Sequence, residues 1–471
     1  MRVKTILLHK STINDFLTKL HISFVENKDL WIFIIVCSII ALVSLQIQLS
    51  IKLSLIILTL CILLWMSELI PIGITGLIPL ILAPIFGLAK FEDIVGNYSS
   101  RIIFLLISGF ILASSITKWG IDKKISYFII RLLGRNPKVV ILSLIITTAL
   151  LSMIMPNTTA AALMIPVGLG ILNSTRGESK EYKISLLLSI AYAASIGGIA
   201  LLIGTPPNLI ATDYLSKENI NMSFFTWSKI MLPFSIIFII ILWLYITFKS
   251  KLPKNITLNY TRTKLKDGAK ITIIVVLSAV ILWFTKSFVF EKIGLFLDDV
   301  FIGLAASILL FVIRIKGEPL LKWEDANIPW DIILMFGGGL TLGSILLSSG
   351  TAQWTVSALN FLPKNEFIFL IVTSMFIVFA TELLSNTVLA ATIMPVIIEL
   401  YKTNGFSPLA GILTVAVCST MAFMFPIGTP PNAIVFKSRI VSFKKMIEYG
   451  FVLNLLVVVL WVVYLKFFLK L

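Results

Sequence analysis

The chain has 471 residues, 58% apolar and only 13% charged, with a formal net charge of +16 and a mean hydropathy of +1.02. A soluble domain carries roughly 25% charged residues, so disorder, a coiled coil and an ordinary cytosolic enzyme are excluded, and a polytopic helical membrane protein fits. The basic excess, 39 Lys and Arg against 23 Asp and Glu, reads as cytoplasmic loops facing anionic lipid headgroups, not as nucleic-acid binding.

Residues 1–30 are polar and basic, hold the two histidines His9 and His21, and lack the apolar core of a signal peptide. They are read as a cytoplasmic N-terminal segment. Apolar runs follow at 31–47, 51–66, 69–88, 102–116, 139–155, 159–172, 184–203, 208–215 and 230–248, forming a first membrane repeat over 31–250. Residues 251–270 form a basic linker read as cytoplasmic; with Lys249, the stretch 249–270 holds seven Lys or Arg. A second repeat over 271–471 carries runs at 271–290, 300–315, 331–349, 366–384, 388–400, 408–427 and 450–469. At a span of about 20 residues plus connections, the length allows about 11–14 membrane segments. The runs 159–172 and 388–400 are short and suit re-entrant or broken helices. Cys37, Cys61 and Cys418 lie in apolar runs without motif spacing and are read as packing residues.

The chain repeats itself. Glu68, Ile72-Gly73, Gly109, Ser114 and Gly120 match Asp298, Ile302-Gly303, Gly339, Ser344 and Gly350 at an offset of 230. Asn157-Thr158 and Pro166 match Asn386-Thr387 and Pro395 at 229, and Gly204-Thr205-Pro206-Pro207-Asn208 matches Gly428-Thr429-Pro430-Pro431-Asn432 at 224. Two homologous halves in a membrane protein point to a transporter, with the relative orientation of the halves left open.

Each GTPPN copy follows an apolar run. Thr is a good helix N-cap and Pro a good first helical residue, so each copy reads as a helix restarting after a break. A break inside a membrane must line a cavity. Its carbonyl end suits a small cation and its N-terminal end an anion. Pro156-Asn157-Thr158 and Ser385-Asn386-Thr387 each lie between two apolar runs and read as tips of re-entrant hairpins. The Asn amides and the hydroxyls can donate to a carboxylate and accept a cation. Glu68 and Asp298 sit near span ends and read as interfacial. Glu382, four residues before Asn386, reads as an anchor of the hairpin. Neither motif holds Lys or Arg, so an anion would be met by neutral dipoles and a bound cation, a reason to expect coupling to Na⁺. The absence of histidine and paired carboxylates in the membrane runs speaks against an intramembrane enzyme. Two hairpin-plus-break units fit a carrier better than a channel.

On these residues the chain resembles the divalent anion–sodium symporter family, from Ser67-Glu68-Leu69-Ile70-Pro71 to Asn432-Ala433-Ile434-Val435-Phe436. The resemblance implies an all-α fold of two inverted repeats with about 11 transmembrane helices and two hairpins. It implies a multi-pass protein of a prokaryotic-type cytoplasmic (inner) membrane with its N-terminus in the cytoplasm. It also implies a homodimer among lipid and a transport domain that moves like an elevator. The substrate is expected to be a small divalent anion, above all a C4-dicarboxylate, with a sodium-independent dicarboxylate exchanger or a sulfate or citrate carrier as alternatives. The resemblance implies substrate contacts from Asn157, Thr158, Thr205, Pro206, Ser385, Asn386, Thr387, Thr429 and Pro430. It implies one sodium site at Ser152, Asn157 and Gly204, and another at Thr381, Leu384, Asn386 and Gly428, partly through backbone carbonyls. Pro156 departs from the family's Ser-Asn-Thr tip and keeps the exchanger alternative open.

Overall fold

A computed structural model describes residues 28–133, 136–174, 179–250, 252–253, 267–289, 297–359 and 361–469. The expected cytoplasmic N-terminal segment up to residue 27, with His9 and His21, and the middle of the basic linker lie outside the described residues. The described chain is helical apart from one short β-hairpin, Arg314–Ile315 with Glu318–Pro319.

The first half contains α1 (Lys28–Ser44), α2 (Leu49–Ser67), α3 (Ile72–Ile85), the short α4 (Phe91–Val95), α5 (Arg101–Lys118), α6 (Ile121–Leu133), α7 (Pro137–Ile154), α8 (Asn157–Ser174), α9 (Lys180–Gly198), α10 (Pro206–Lys217) and α11 (Phe224–Lys249). The second half contains α12 (Ala269–Val289), α13 (Asp299–Val312), α14 (Trp330–Ser348), α15 (Thr351–Ala358), α16 (Glu366–Ala380), α17 (Asn386–Thr403), α18 (Pro408–Thr420), α19 (Pro430–Lys437) and α20 (Phe443–Val463). Among the described residues, seven helical segments are long and apolar enough to cross a membrane.

The packing is reciprocal between the halves. α3 packs on α14, and their repeat counterparts α13 and α5 pack on each other. Likewise α9 packs on α19 and α10 on α18, while α8 packs on α19 and α10 on α17. The α3–α14 contact is a backbone contact: a Cβ at Gly76 would stand 2.5 Å from the Leu334 carbonyl oxygen, so a larger residue would pry the helices apart. The repeat-matched Gly120 and Gly350 have φ of +67° and +76°. They form the elbows that turn α5 into α6 and α14 into α15, a left-handed conformation that costs other residues dearly.

The core sits around the two helices that precede the breaks. α9 is buried continuously from Ile184 to Gly198 and α18 from Ala410 to Thr420, as expected of helices apolar on every face. The repeat-matched carboxylates Glu68 and Asp298 both sit at helix ends. Glu68 is the left-handed C-cap of α2. Asp298 accepts from the Val300 amide at 2.9 Å and pairs with Arg101 at 2.7 Å. Next to it, Lys286 on α12 and Asp299 on α13 form a buried ion pair at 2.7 Å. Asp299 also accepts from the Phe224 amide at 3.0 Å, and so ties the start of α11 to α12 and α13. Cys61 and Cys418 are buried packing residues, whereas Cys37 is exposed on the apolar outer face of α1.

Candidate functional site

The hairpins form where the paired tips were expected. α7 ends at Ile154; Met155 is extended, and α8 starts at Asn157 with the Pro156 carbonyl accepting from Ala160 at 3.0 Å. α16 ends at Ala380, the chain turns through Thr381–Ser385, and α17 starts at Asn386 with the Ser385 carbonyl accepting from Leu389 at 2.9 Å. Pro156 and Ser385 thus hold the same cap position. The Ser385 side chain makes no cap bond and is exposed. The arms α8 and α17 are 18 residues each, longer than the apolar runs, because the polar tip residues and the residues after each run are themselves helical.

The breaks also form where the GTPPN copies begin. α9 stops at Gly198 and α10 restarts at Pro206; α18 stops at Thr420 and α19 restarts at Pro430. Thr205 and Thr429 are extended N-caps, each with Pro in the first helical position. Only Thr429 caps with its side chain, accepting from the Asn432 amide at 3.3 Å; the Thr205 hydroxyl makes no cap bond.

Each hairpin tip meets the break of its own half. Ser152 Oγ lies 2.6 Å from Asn157 Oδ1 and 2.7 Å from the Ala194 carbonyl on α9. Thr381 Oγ1 lies 2.9 Å from Asn386 Oδ1 and 2.5 Å from the Ser419 carbonyl on α18. A hydroxyl has one proton for these two acceptors, so each trio of oxygens is one donor short. A bound cation would relieve it, as would a turn of the asparagine amide. Gly204 closes the first cluster: a Cβ there would stand 3.0 Å from the Ser152 carbonyl oxygen and would overlap that of Gly198. Gly198 in turn lies against the Asn157 side chain, 3.1 Å from its Cγ to a would-be Cβ.

The structure therefore brings Ser152, Asn157 and Gly204 together, and Thr381 with Asn386. Gly428 faces Glu382: a Cβ there would stand 3.1 Å from Oε2. The Leu384 amide donates to the Ala380 carbonyl at 3.2 Å, and its side chain packs against the core. Thr158 and Pro430 are exposed, Asn157, Pro206 and Asn386 are half-buried, and Thr387 is buried. The helices α8, α10, α17 and α19 all begin at these motifs, so each motif lies at a positive helix end.

Glu382 is an anchor. Its Oε1 accepts from the amides of Phe423 at 2.6 Å and Met424 at 2.9 Å and from Asn454 Nδ2 at 2.7 Å, and its Oε2 accepts from the Phe425 amide at 2.9 Å. It holds the whole turn of the second break. The first break has no carboxylate. There the Ile199 carbonyl accepts from Trp227 Nε1 at 3.0 Å and the Ile196 carbonyl from Ser235 Oγ at 2.8 Å. Sequence reasoning missed Gly198 and Asn454 and the carbonyls of Ala194 and Ser419. Of these only Gly198, in the Gly197-Gly198 pair ending an apolar run, left a signal.

A family model described as the sodium:sulfate symporter transmembrane region matches residues 25–471. The chain belongs to this family. It is thus an integral multi-pass membrane transporter and not an enzyme. It is 36% identical over 431 residues to the sodium-dependent dicarboxylate transporter SdcS of Staphylococcus saprophyticus, covering 85% of this chain and 83% of that protein. It is 34% identical over 430 residues to SdcS of Staphylococcus aureus, with the same coverage. Among solved structures it is similar in fold to the Alcanivorax borkumensis YdaH transporter, with a TM-score of 0.56 at 13% identity, over 81% of this chain and 88% of that one. It is likewise similar to Neisseria gonorrhoeae MtrF, with a TM-score of 0.57 at 10% identity, over 89% and 94%.

Proposed function

We propose that this family member carries small divalent anions, most of all C4-dicarboxylates, in symport with Na⁺. The observation that carries the reading is the mirrored pair of oxygen clusters, Ser152 with Asn157 and Thr381 with Asn386, each set against carbonyls of a broken helix. Hard cations such as Na⁺ take oxygen ligands at broken helices, and half-helix N-termini take the carboxylates. With no Lys or Arg in the motifs, a doubly charged guest depends on those cations for its counter-charge. The printed name of the SdcS relatives, sodium-dependent dicarboxylate transporter, supports the same cargo and ion.

The substrate would be held by Asn157, Thr158, Thr205 and Pro206 in the first half and Ser385, Asn386, Thr387, Thr429 and Pro430 in the second. Sodium would bind at Ser152, Asn157 and Gly204, and at Thr381, Leu384, Asn386 and Gly428. The repeats would be inverted: α3, α5, the α9–α10 pair, α11 and α12 make five crossings before α13, the counterpart of α3, and an odd count reverses direction. The hairpins and broken helices, with α11 and α20, would move as one body against α1–α5 and α12–α14 in an elevator, within a homodimer.

The experiment is uptake of labelled succinate, citrate and sulfate into proteoliposomes under an inward Na⁺ or K⁺ gradient. Succinate uptake that needs Na⁺ and is lost in Asn386→Ala at normal expression is the expected result. No uptake of any of the three, or normal uptake by Asn386→Ala, refutes the reading.

A further inference from the structure

Asn208 and Asn432 end the two GTPPN copies and are fully buried. Each makes the same pair of bonds. Asn208 Nδ2 donates to the carbonyls of Gly198 and Leu201, both at 2.9 Å. Asn432 Nδ2 donates to those of Ala422 and Phe425, both at 3.1 Å. In both, the remaining Oδ1 is buried without a partner. An amide is the short side chain that offers two N–H donors from one atom, and both are spent here on one turn of backbone.

The bonded carbonyls are not incidental. Gly198 is the glycine pressed against Asn157, and its carbonyl oxygen is what a Cβ at Gly204 would overlap. A Cβ at Gly428 would stand 3.0 Å from Ala422 Cβ and 3.4 Å from the Phe425 carbonyl oxygen. Each asparagine thus fixes the stretch of turn against which Gly204, in the first oxygen cluster, or Gly428, beside Glu382, is seated. Without the amide, two carbonyls would be free to rotate towards any other donor, and the seat of Gly204 or Gly428 would move with them.

We propose that Asn208 and Asn432 are positioning residues, one for each cation site, which act by clamping the turn of the break and not by touching ion or substrate. Their role rests on the sodium-coupled reading above. It implies that each clamp sets the Na⁺ affinity of its own half, while anion binding at saturating Na⁺ changes little.

The experiment is a Na⁺ titration of the melting temperature of the purified protein, with K⁺ holding ionic strength constant, for the wild type and for Asn208→Ser, Asn432→Ser, Asn208→Gln and Asn432→Gln. Ser removes both N–H donors and offers a single hydroxyl proton on a shorter arm, too few for two carbonyls; Gln keeps both on a longer arm. The Na⁺ midpoint is expected to rise tenfold or more in the Ser variants and less in the Gln variants. In uptake assays on the same proteins, the half-saturating succinate concentration at saturating Na⁺ should stay within a factor of two. Asn97→Ser, which loses a bond to Thr341 at 3.3 Å in the frame, should leave the Na⁺ midpoint in place. Ser variants that melt lower but keep the wild-type midpoint overturn the proposal, since they reveal only a packing role. A wild type whose melting temperature ignores Na⁺ overturns the sodium reading and this role together, and does so before any variant is made.

Discussion

Glu382→Ala would strip the acceptor from four donors at once: the amides of Phe423, Met424 and Phe425 and the Asn454 side chain. A buried donor left unpaired costs about 1–3 kcal/mol. Four of them amount to roughly 4–12 kcal/mol, against a total stability on the order of 5–15 kcal/mol. The alanine variant should therefore fail to accumulate as a monodisperse protein. Glu382→Gln keeps the shape. Its amide oxygen can replace Oε1, which carries three of the four bonds, while its NH₂ then faces the Phe425 amide donor to donor. That loss, one acceptor and the charge assistance of the others, is about 2–4 kcal/mol, so this variant should fold and melt measurably lower. The assay is detergent extraction of heated membranes followed by size exclusion, with uptake measured on whatever survives. A wild-type yield and melting temperature for Glu382→Ala would refute the anchoring argument, because no other side chain among the described residues accepts from those donors.

Gly198→Ala would press a methyl onto the Asn157 amide. A displacement on the order of 1 Å in a binding group can cost about 100-fold in rate, so uptake should fall by that order at normal expression; uptake within twofold of wild type would show that Asn157 is not a contact residue. Pro156→Ser should leave the melting temperature unchanged, since the equivalent Ser385 hydroxyl makes no cap bond, and should lower the half-saturating Na⁺ concentration; an unchanged Na⁺ response would show that the tip hydroxyl has no part in coupling. Asp299→Ala leaves Lys286 buried and unpaired, which costs about 3–5 kcal/mol, whereas the double variant Lys286→Met with Asp299→Asn removes the charge and keeps an acceptor for the Phe224 amide. Melting curves should rank the double variant above Asp299→Ala; the reverse order would mean that the pair is not buried in the membrane-bound protein.

The sites of interruption were legible in the sequence, because they use residues with a backbone consequence. Pro206 and Pro430 begin helices, Thr205 and Thr429 cap them, and Asn157 and Asn386 open the second arms of the hairpins. The repeat was legible for the same reason: Gly120 and Gly350 are kept apart by 230 residues because both elbows need a left-handed residue. What stayed hidden was whatever the backbone itself supplies. The carbonyls of Ala194, Ser419 and Ala422 belong to residues whose side chains say nothing about their role. The partner of Glu382, Asn454, lies 72 residues further on, and no local pattern could join them. The difference between the two breaks was half visible: Glu382 has no carboxylate counterpart in the first half, but Trp227 and Ser235 as its substitutes were not.

The reciprocal packing of α9 on α19 and α10 on α18 has a consequence for biogenesis. On the ribosome the first interrupted helix is complete by residue 217, yet two of the helices packed on it, α18 and α19, are not made until residues 408–437. At about 5–20 residues per second the lag is on the order of ten to forty seconds. Through that interval the face that α18 and α19 later cover meets either acyl chains, where any unmet backbone group costs several kcal/mol, or a translocon wall. Truncation after α11 should leave a fragment that quality-control proteases recognise, however apolar it is.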